Sequence, residues 1–213
     1  KRHLLAARMR QMQLPVQVGH KHRQQALWKA RGLQVGTMAV NVSALEFRDH
    51  RLLDSLQAAL QESGVSPGEL EVEITESVLM AETDTSLRII ARLHELGVGI
   101  AIDDFGTGFA SLNLLRSFPV NCIKIDKSFI QLMRTSEKDR VIVAGIIDMA
   151  RKLGLNVVAE GVESIEDRDF LRLHRCEKGQ GYFFGKPMPA AVFAELCLAQ
   201  AAVLRETAGF SAR

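Results

Sequence analysis

Six side chains able to hold metals or move protons recur along the sequence about one structural unit apart: Asn41, Glu73, the adjacent pair Asp103 and Asp104, Lys124 and Glu160. Carboxylates brought to one place repel, and one of them protonates unless a cation compensates. Divalent metals are the usual compensation, because hard cations take oxygen ligands. The Asp103-Asp104 pair can serve two adjacent ions, and Glu73, Glu160 and the Asn41 amide oxygen complete a set of hard donors. Two ions about 4 Å apart form the usual clamp for in-line phosphodiester displacement. Lys124 would orient the attacking water or neutralise developing charge. These residue types alone point to metal-dependent phosphoester hydrolysis. A plainer reading competes at single positions, since an acidic residue after a strand often caps the next helix. Glu76, Ser77 and Asp126 are open to that reading. Six such residues at successive positions are harder to explain as caps.

The elements that must position them are a repeating pair. From residue 36 onward short apolar runs alternate with helical periodicity. The runs are 37–42, 70–75, 99–103, 122–125, 156–160 and 181–184, most of them rich in Val and Ile, as strands buried on both faces are. Helices are expected at 84–96, burying Ile89, Ile90, Leu93 and Leu96, and at 141–153, where Val141, Ile142, Gly145, Ile146, Met149 and Leu153 share one broad face. A further helix is expected over 190–206. Gly64, Gly97 and Gly154 follow helix ends, where a left-handed residue stops the helix. Strands alternating with helices argue for a parallel sheet. The polar residues each stand at or near the C-terminal end of a strand, and in a closed barrel those ends converge on one mouth. The expected fold class is therefore α/β, a TIM-like (β/α)8 barrel.

Six strands are two short of the eight such a barrel uses. The deficit is expected at the front. Residues 1–12 read as a basic helix and 20–32 as the helix before the first strand, which leaves 13–19 room for one short strand. The organisation expected is one barrel domain over 1–213, with 1–19 a helix or linker and a segment missing near 13–20; natural truncation is the alternative. Trp28 is expected to pack its helix onto the barrel.

Composition narrows the function classes. Of 213 residues, 47% are hydrophobic and 24% charged, the profile of a soluble globular chain. The net charge of +2, from 27 basic and 25 acidic residues, argues against a general DNA or RNA surface. Cys122, Cys176 and Cys197 are too widely spaced for a zinc motif and read as free thiols in a reducing compartment, hence a cytoplasmic location. No apolar run is long enough to span a membrane.

The motifs are recognisable together. The sequence resembles the EAL domain family through Asn41-Val42-Ser43-Ala44, Glu71-Val72-Glu73-Ile74-Thr75-Glu76-Ser77, and Ile102-Asp103-Asp104-Phe105-Gly106-Thr107-Gly108-Phe109. It continues through Ile123-Lys124-Ile125-Asp126-Lys127-Ser128-Phe129, Val158-Ala159-Glu160-Gly161-Val162-Glu163 and Gly179-Gln180-Gly181-Tyr182-Phe183-Phe184. Order and spacing match over about residues 24–200. The resemblance implies a phosphodiesterase that opens cyclic di-guanylate to the linear dinucleotide pGpG, using two divalent ions, Mg²⁺ or Mn²⁺. It implies Asn41, Glu73, Asp103, Asp104 and Glu160 as metal ligands and Lys124 as the residue holding the catalytic water. Gln180 would support the water network, and Glu76 would anchor the loop over 105–111. Glu163 and the aromatic run including Phe184 would contact a guanine or ribose. A homodimer and an upstream sensory or GGDEF domain are further implications, and the basic start Lys1-Arg2-His3 reads as the end of a linker.

One departure stands out. The Glu-Ala-Leu tripeptide that names the family, whose glutamate is implied as a further metal ligand, does not occur in this sequence. Three functions therefore compete: the hydrolase, a receptor that binds the nucleotide without cleaving it, and a scaffold that has lost the ligand. Intact Asp103, Asp104, Lys124 and Glu160 argue against the third.

Overall fold

The computed structural model describes residues 14–33, 36–49, 51–80, 84–108, 115–116 and 118–199. The expected basic helix at 1–12, and the part of the 105–111 loop beyond residue 108, lie outside them. Six strands run through these residues: β1 (Met38–Asn41), β2 (Leu70–Thr75), β3 (Gly99–Phe105), β4 (Cys122–Ile125), β5 (Asn156–Glu160) and β6 (Lys178–Gln180). All neighbours pair in parallel, in the order β1-β2-β3-β4-β5-β6, so the sheet curls as an incomplete barrel. The helices are α1 (Leu14–Ala30), α2 (Ala44–Phe47), α3 (Arg51–Ser63), α4 (Glu76–Met80), α5 (Asp84–Glu95), α6 (Lys127–Leu132), α7 (Glu137–Lys152), α8 (Ile165–Leu173) and α9 (residues 190–199).

Alternation along each strand divides the sheet into two faces. Val40, Leu70, Val72, Ile74, Ile100, Ile102, Ile123, Ile125, Val157 and Ala159 point outward into the apolar core beneath the helices. The residues between them point inward. In register, Asn41 lies beside Glu73, and Glu160 beside Gln180. Helix α5 buries Ile89, Ile90 and Leu93, with Leu96 half-buried against the core, as its periodicity predicts. Gly64, Gly97 and Gly154 adopt φ of +64°, +79° and +75° at helix ends, also as expected.

Three expectations need correction. Helix α7 does not bury the face chosen from its pattern. It buries Val143, Ile147 and Ala150, leaves Val141, Ile142 and Leu153 exposed, and keeps Ile146 and Met149 half-buried against the core. Apolar residues cover more than half of this helix's circumference. Periodicity cannot choose among them, and the sheet takes a stripe about a third of a turn away.

The last strand is not 181–184. Those residues form a turn in which the Phe183 N–H donates to the Val162 carbonyl (3.0 Å) and the Phe184 N–H to that of Gly181 (3.1 Å). The Gly181 backbone lies so close to Val162 that a Cβ there would fall 2.0 Å from its carbonyl oxygen. The strand is instead the polar Lys178–Gln180, whose alternate side chains face the barrel interior.

At the front, α1 runs unbroken from Leu14, so residues 14–19 are helical and hold no strand. Pro15 is compatible with that start, because the first turn of a helix needs no amide donor there. Helix α1 lies along the edge strand: Lys21 Nζ donates to the Ala39 carbonyl (2.8 Å) and Gln25 Nε2 to that of Gly36 (3.1 Å). Trp28 packs on Phe193 of α9, ring centroids 5.1 Å apart, so helices from the two ends of the described chain meet. These contacts give the open β1 edge a cover.

Candidate functional site

Lys124 stands at the centre of the barrel mouth. Its position on the short, wholly buried β4 points its side chain inward, and it is 3% exposed. The ammonium lies 2.7 Å from Asp103 Oδ1, 2.8 Å from Glu73 Oε1 and 2.8 Å from Glu160 Oε1. Three strands thus converge on one nitrogen. Burial alone would depress the lysine's pKa, but Glu73, Glu160 and Asp103 outweigh it and hold the group above its ordinary value. Lys124 therefore stays charged, a hydrogen-bond donor and not a base.

The carboxylates are in excess. Burial pushes Glu73 up, Lys124 pulls it back, and Asp103 with Glu160 push it up again, leaving it raised. Asp104 is also raised, first by burial and then by Asp103, Asp126 and Glu160. Glu160 Oε1, though close to the ammonium, lies off the hydrogen-bonding direction and makes no hydrogen bond. Asp103, Asp104 and Glu160 bring carboxylate oxygens within 4.8 Å of one another. Asn41 joins from β1. With its nitrogen inward its amide donates to Glu73 Oε2 (3.0 Å) and Asp103 Oδ2 (3.2 Å). Turned by half a rotation it offers an oxygen to a cation held between those two carboxylates. Four carboxylates against one ammonium, an orphaned buried oxygen and an invertible amide are a donor set that fits divalent cations.

Backbone geometry explains how consecutive residues both reach the mouth. In a regular strand Asp103 and Asp104 would face opposite sides. The β3–β4 register shifts between Ile102 and Phe105, and Asp104 adopts φ of +52°. That left-handed kink, rare outside glycine though tolerated by Asp, turns its side chain back toward Asp103.

The other expected residues distribute around this centre. Glu76, the first residue of α4, is 4% exposed, and its Oε2 accepts from the Gly106 N–H at 3.4 Å. A Cβ on Gly108 would fall 3.3 Å from its Oε1. Glu76 thus lies behind the 105–108 loop, against its backbone. Gln180 ends β6 beside Glu160. Glu163 stands on the rim, held by Arg134. Phe184 is not brought to the mouth. It packs edge-on to Phe183 and over Gly179 on the outward side of β6, while Tyr182 is the exposed ring of that run. Asp126 caps α6, accepting from the Ser128 N–H at 2.9 Å, and its charge also reaches Asp104.

Two contributors escaped the sequence reading. Gly161, at φ of +71°, lets the loop after β5 pass so near α6 that a Cβ would lie 2.6 Å from that of Lys127. A glycine directly after a strand-end glutamate was the available signal. Arg134 had no signal at all, being one of many arginines between two helices.

The comparisons with known proteins agree with this geometry. The EAL domain model matches residues 10–187. The chain is 44% identical over 158 residues to the cyclic di-GMP phosphodiesterase NbdA of Pseudomonas aeruginosa, covering 74% of this chain and 20% of that protein. It is 43% identical to the bifunctional diguanylate cyclase/cyclic di-GMP phosphodiesterase MucR of the same organism, covering 79% and 24%. The chain thus spans a fifth to a quarter of the length of these relatives. Among solved structures, the PaMucR phosphodiesterase complex with c-di-GMP superposes with a TM-score of 0.80 at 40% identity, over 84% of this chain and 72% of that one. The EAL domain of Mycobacterium smegmatis DcpA gives 0.80 at 33% identity, over 85% and 82%.

Proposed function

This chain belongs to the EAL domain family, and from that premise we propose that its barrel mouth hydrolyses one phosphodiester bond of cyclic di-GMP to give linear pGpG. The observation that carries the reading is the convergence of Glu73, Asp103 and Glu160 on Lys124, with Asp104 and Asn41 beside them. Asn41, Glu73, Asp103, Asp104 and Glu160 would hold two divalent cations, Mg²⁺ or Mn²⁺. Bound there, the ions supply an acidified water and charge stabilisation at the phosphoryl oxygens.

The chain's own residues do the rest. Lys124, kept protonated by its carboxylate neighbours, donates to the attacking oxygen and orients it toward phosphorus. Water adds its oxygen to phosphorus, the P–O bond to the ribose 3′ oxygen breaks, and the proton ends on that leaving oxygen. Glu76 holds the 105–108 loop against the mouth, and Gln180 offers its amide beside Glu160. Glu163 borders the nucleotide on the rim, with Tyr182 the exposed aromatic surface beside β6.

A homodimer fits the apolar strip that α7 leaves exposed at Val141, Ile142 and Leu153. No helix among the described residues is long and apolar enough to cross a membrane. A cytoplasmic setting, with sensory or cyclase domains on the same polypeptide, is consistent with a nucleotide substrate and with the multidomain relatives.

The test is turnover of cyclic di-GMP with Mg²⁺ or Mn²⁺ and then with chelator. Metal-dependent release of pGpG, abolished by Asp103→Ala in a protein that still melts cooperatively, is the expected result. Unchanged turnover in Asp103→Ala would sink the two-metal assignment. The competing reading is a nucleotide receptor that keeps the mouth without turning over its ligand. Tight binding without turnover would establish it.

A further inference from the structure

Arg134 lies in the turn between α6 and α7, outside the strands that build the mouth. Its guanidinium forks between two carboxylates. Nε and Nη2 donate to Asp167 Oδ1 (3.1 Å) and Oδ2 (2.8 Å), while Nη1 and Nη2 donate to Glu163 Oε2 at 3.3 and 3.2 Å.

The two ends of this bridge differ. Asp167 is 2% exposed, and its Oδ2 also accepts the N–H groups of Glu163 and Ser164, both at 3.1 Å. It is the fixed end, built into the capping box that starts α8. Glu163 is the free end, its side chain 39% exposed, three residues beyond Glu160. Both of its contacts with Arg134 fall on Oε2. The loop between these two glutamates is itself tied down, because the Val162 N–H donates to the Gln180 carbonyl at 3.0 Å.

We propose that Arg134 is a positioning residue for nucleotide recognition: anchored on buried Asp167, it holds the Glu163 carboxylate by one oxygen and leaves the other for the N–H edge of a guanine. This rests on the reading above, in which Glu163 borders bound cyclic di-GMP. The chemistry follows from donors and acceptors. The remaining carboxylate oxygen, with two lone pairs, accepts from the ring N–H and exocyclic amine that guanine presents side by side, whereas adenine lacks that paired donor edge. A free rim glutamate would lose rotamer freedom on binding; one already held by a guanidinium loses less, so affinity rises without a new contact. Arg suits the task because its planar fork serves two carboxylates at once, which a lysine cannot match.

The experiment is steady-state hydrolysis of cyclic di-GMP by wild type, Arg134→Ala, Glu163→Ala and the double variant, with nucleotide titrations in chelator as a binding readout. Arg134→Ala is expected to raise KM about tenfold with kcat within about twofold, matching one well-placed side-chain contact. The double variant should be no worse than Glu163→Ala, since Arg134 acts only through Glu163. Arg134→Lys, which keeps a charge beside Asp167, should also raise KM, and it serves if the alanine variant unfolds. Unchanged KM in both Arg134 variants, multiplying effects in the double variant, or a loss confined to kcat would overturn the assignment. Wild-type affinity in Glu163→Ala would overturn it too, while leaving the hydrolase reading standing. A wild-type chain that neither binds nor cleaves the nucleotide would overturn both.

Discussion

The two faces of the same six strands make opposite choices. The outward face is almost wholly Val, Ile and Leu, dry and packed under helices. The inward face at the strand ends is Asn41, Glu73, Asp103, Lys124 and Glu160, as deeply buried in most cases but polar, four of the five being charged. Burial stabilises the first set and burdens the second, because charges taken from water cost free energy that only close partners or cations offset. Stability and chemistry are thus carried by alternate residues of one strand. Ile123 and Lys124 are neighbours in sequence with separate duties.

Substitution can break or sharpen that contrast. The largest effect on activity should come from Lys124→Ala, which is expected to cut kcat about a hundredfold or more while nucleotide affinity changes far less. Equal loss of both would recast Lys124 as a binding residue. The same variant should gain more in Tm from added Mg²⁺ than wild type does, because it leaves the mouth carboxylates facing one another without their cation. Next comes Ile123→Ala on the outward face. It should cost about 2–5 kcal/mol of stability by denaturant titration, with kcat changed only a few-fold and no special response to metal. A large loss of kcat at full occupancy of the folded state would show that the two faces are not separable. The smallest pair lies on α7. Val143→Ala, on the buried stripe, should cost about 1–3 kcal/mol. Ile142→Glu beside it should leave stability within about 0.5 kcal/mol. That second variant should still convert the proposed homodimer to a monomer by light scattering; a dimeric mass unchanged by it would argue against α7 as the subunit contact.

What could be read without coordinates follows from local physics. Buried parallel strands demand Val and Ile runs, helices show their own period, and glycine marks helix ends, so five of the six strands and the position of α5 were legible. Polar residues at strand ends were legible for the same reason, since an apolar run interrupted by Glu73, Asp103 or Glu160 needs an explanation other than packing. The tertiary structure alone decided the remainder. Which stripe of α7 is buried depends on where the sheet lies, not on the helix pattern. The polar Lys178–Gln180 is a strand because Ala159 and Glu160 stand beside it, and the aromatic 181–184 is a turn because the Val162 backbone leaves no room for more than a glycine. The left-handed Asp104 joins two carboxylates that alternation would separate. Arg134 meets Glu163 and Asp167 from about thirty residues away. Periodicity and capping act within a few residues of chain, whereas these contacts are made by chain closure, and only the folded sheet brings their partners together.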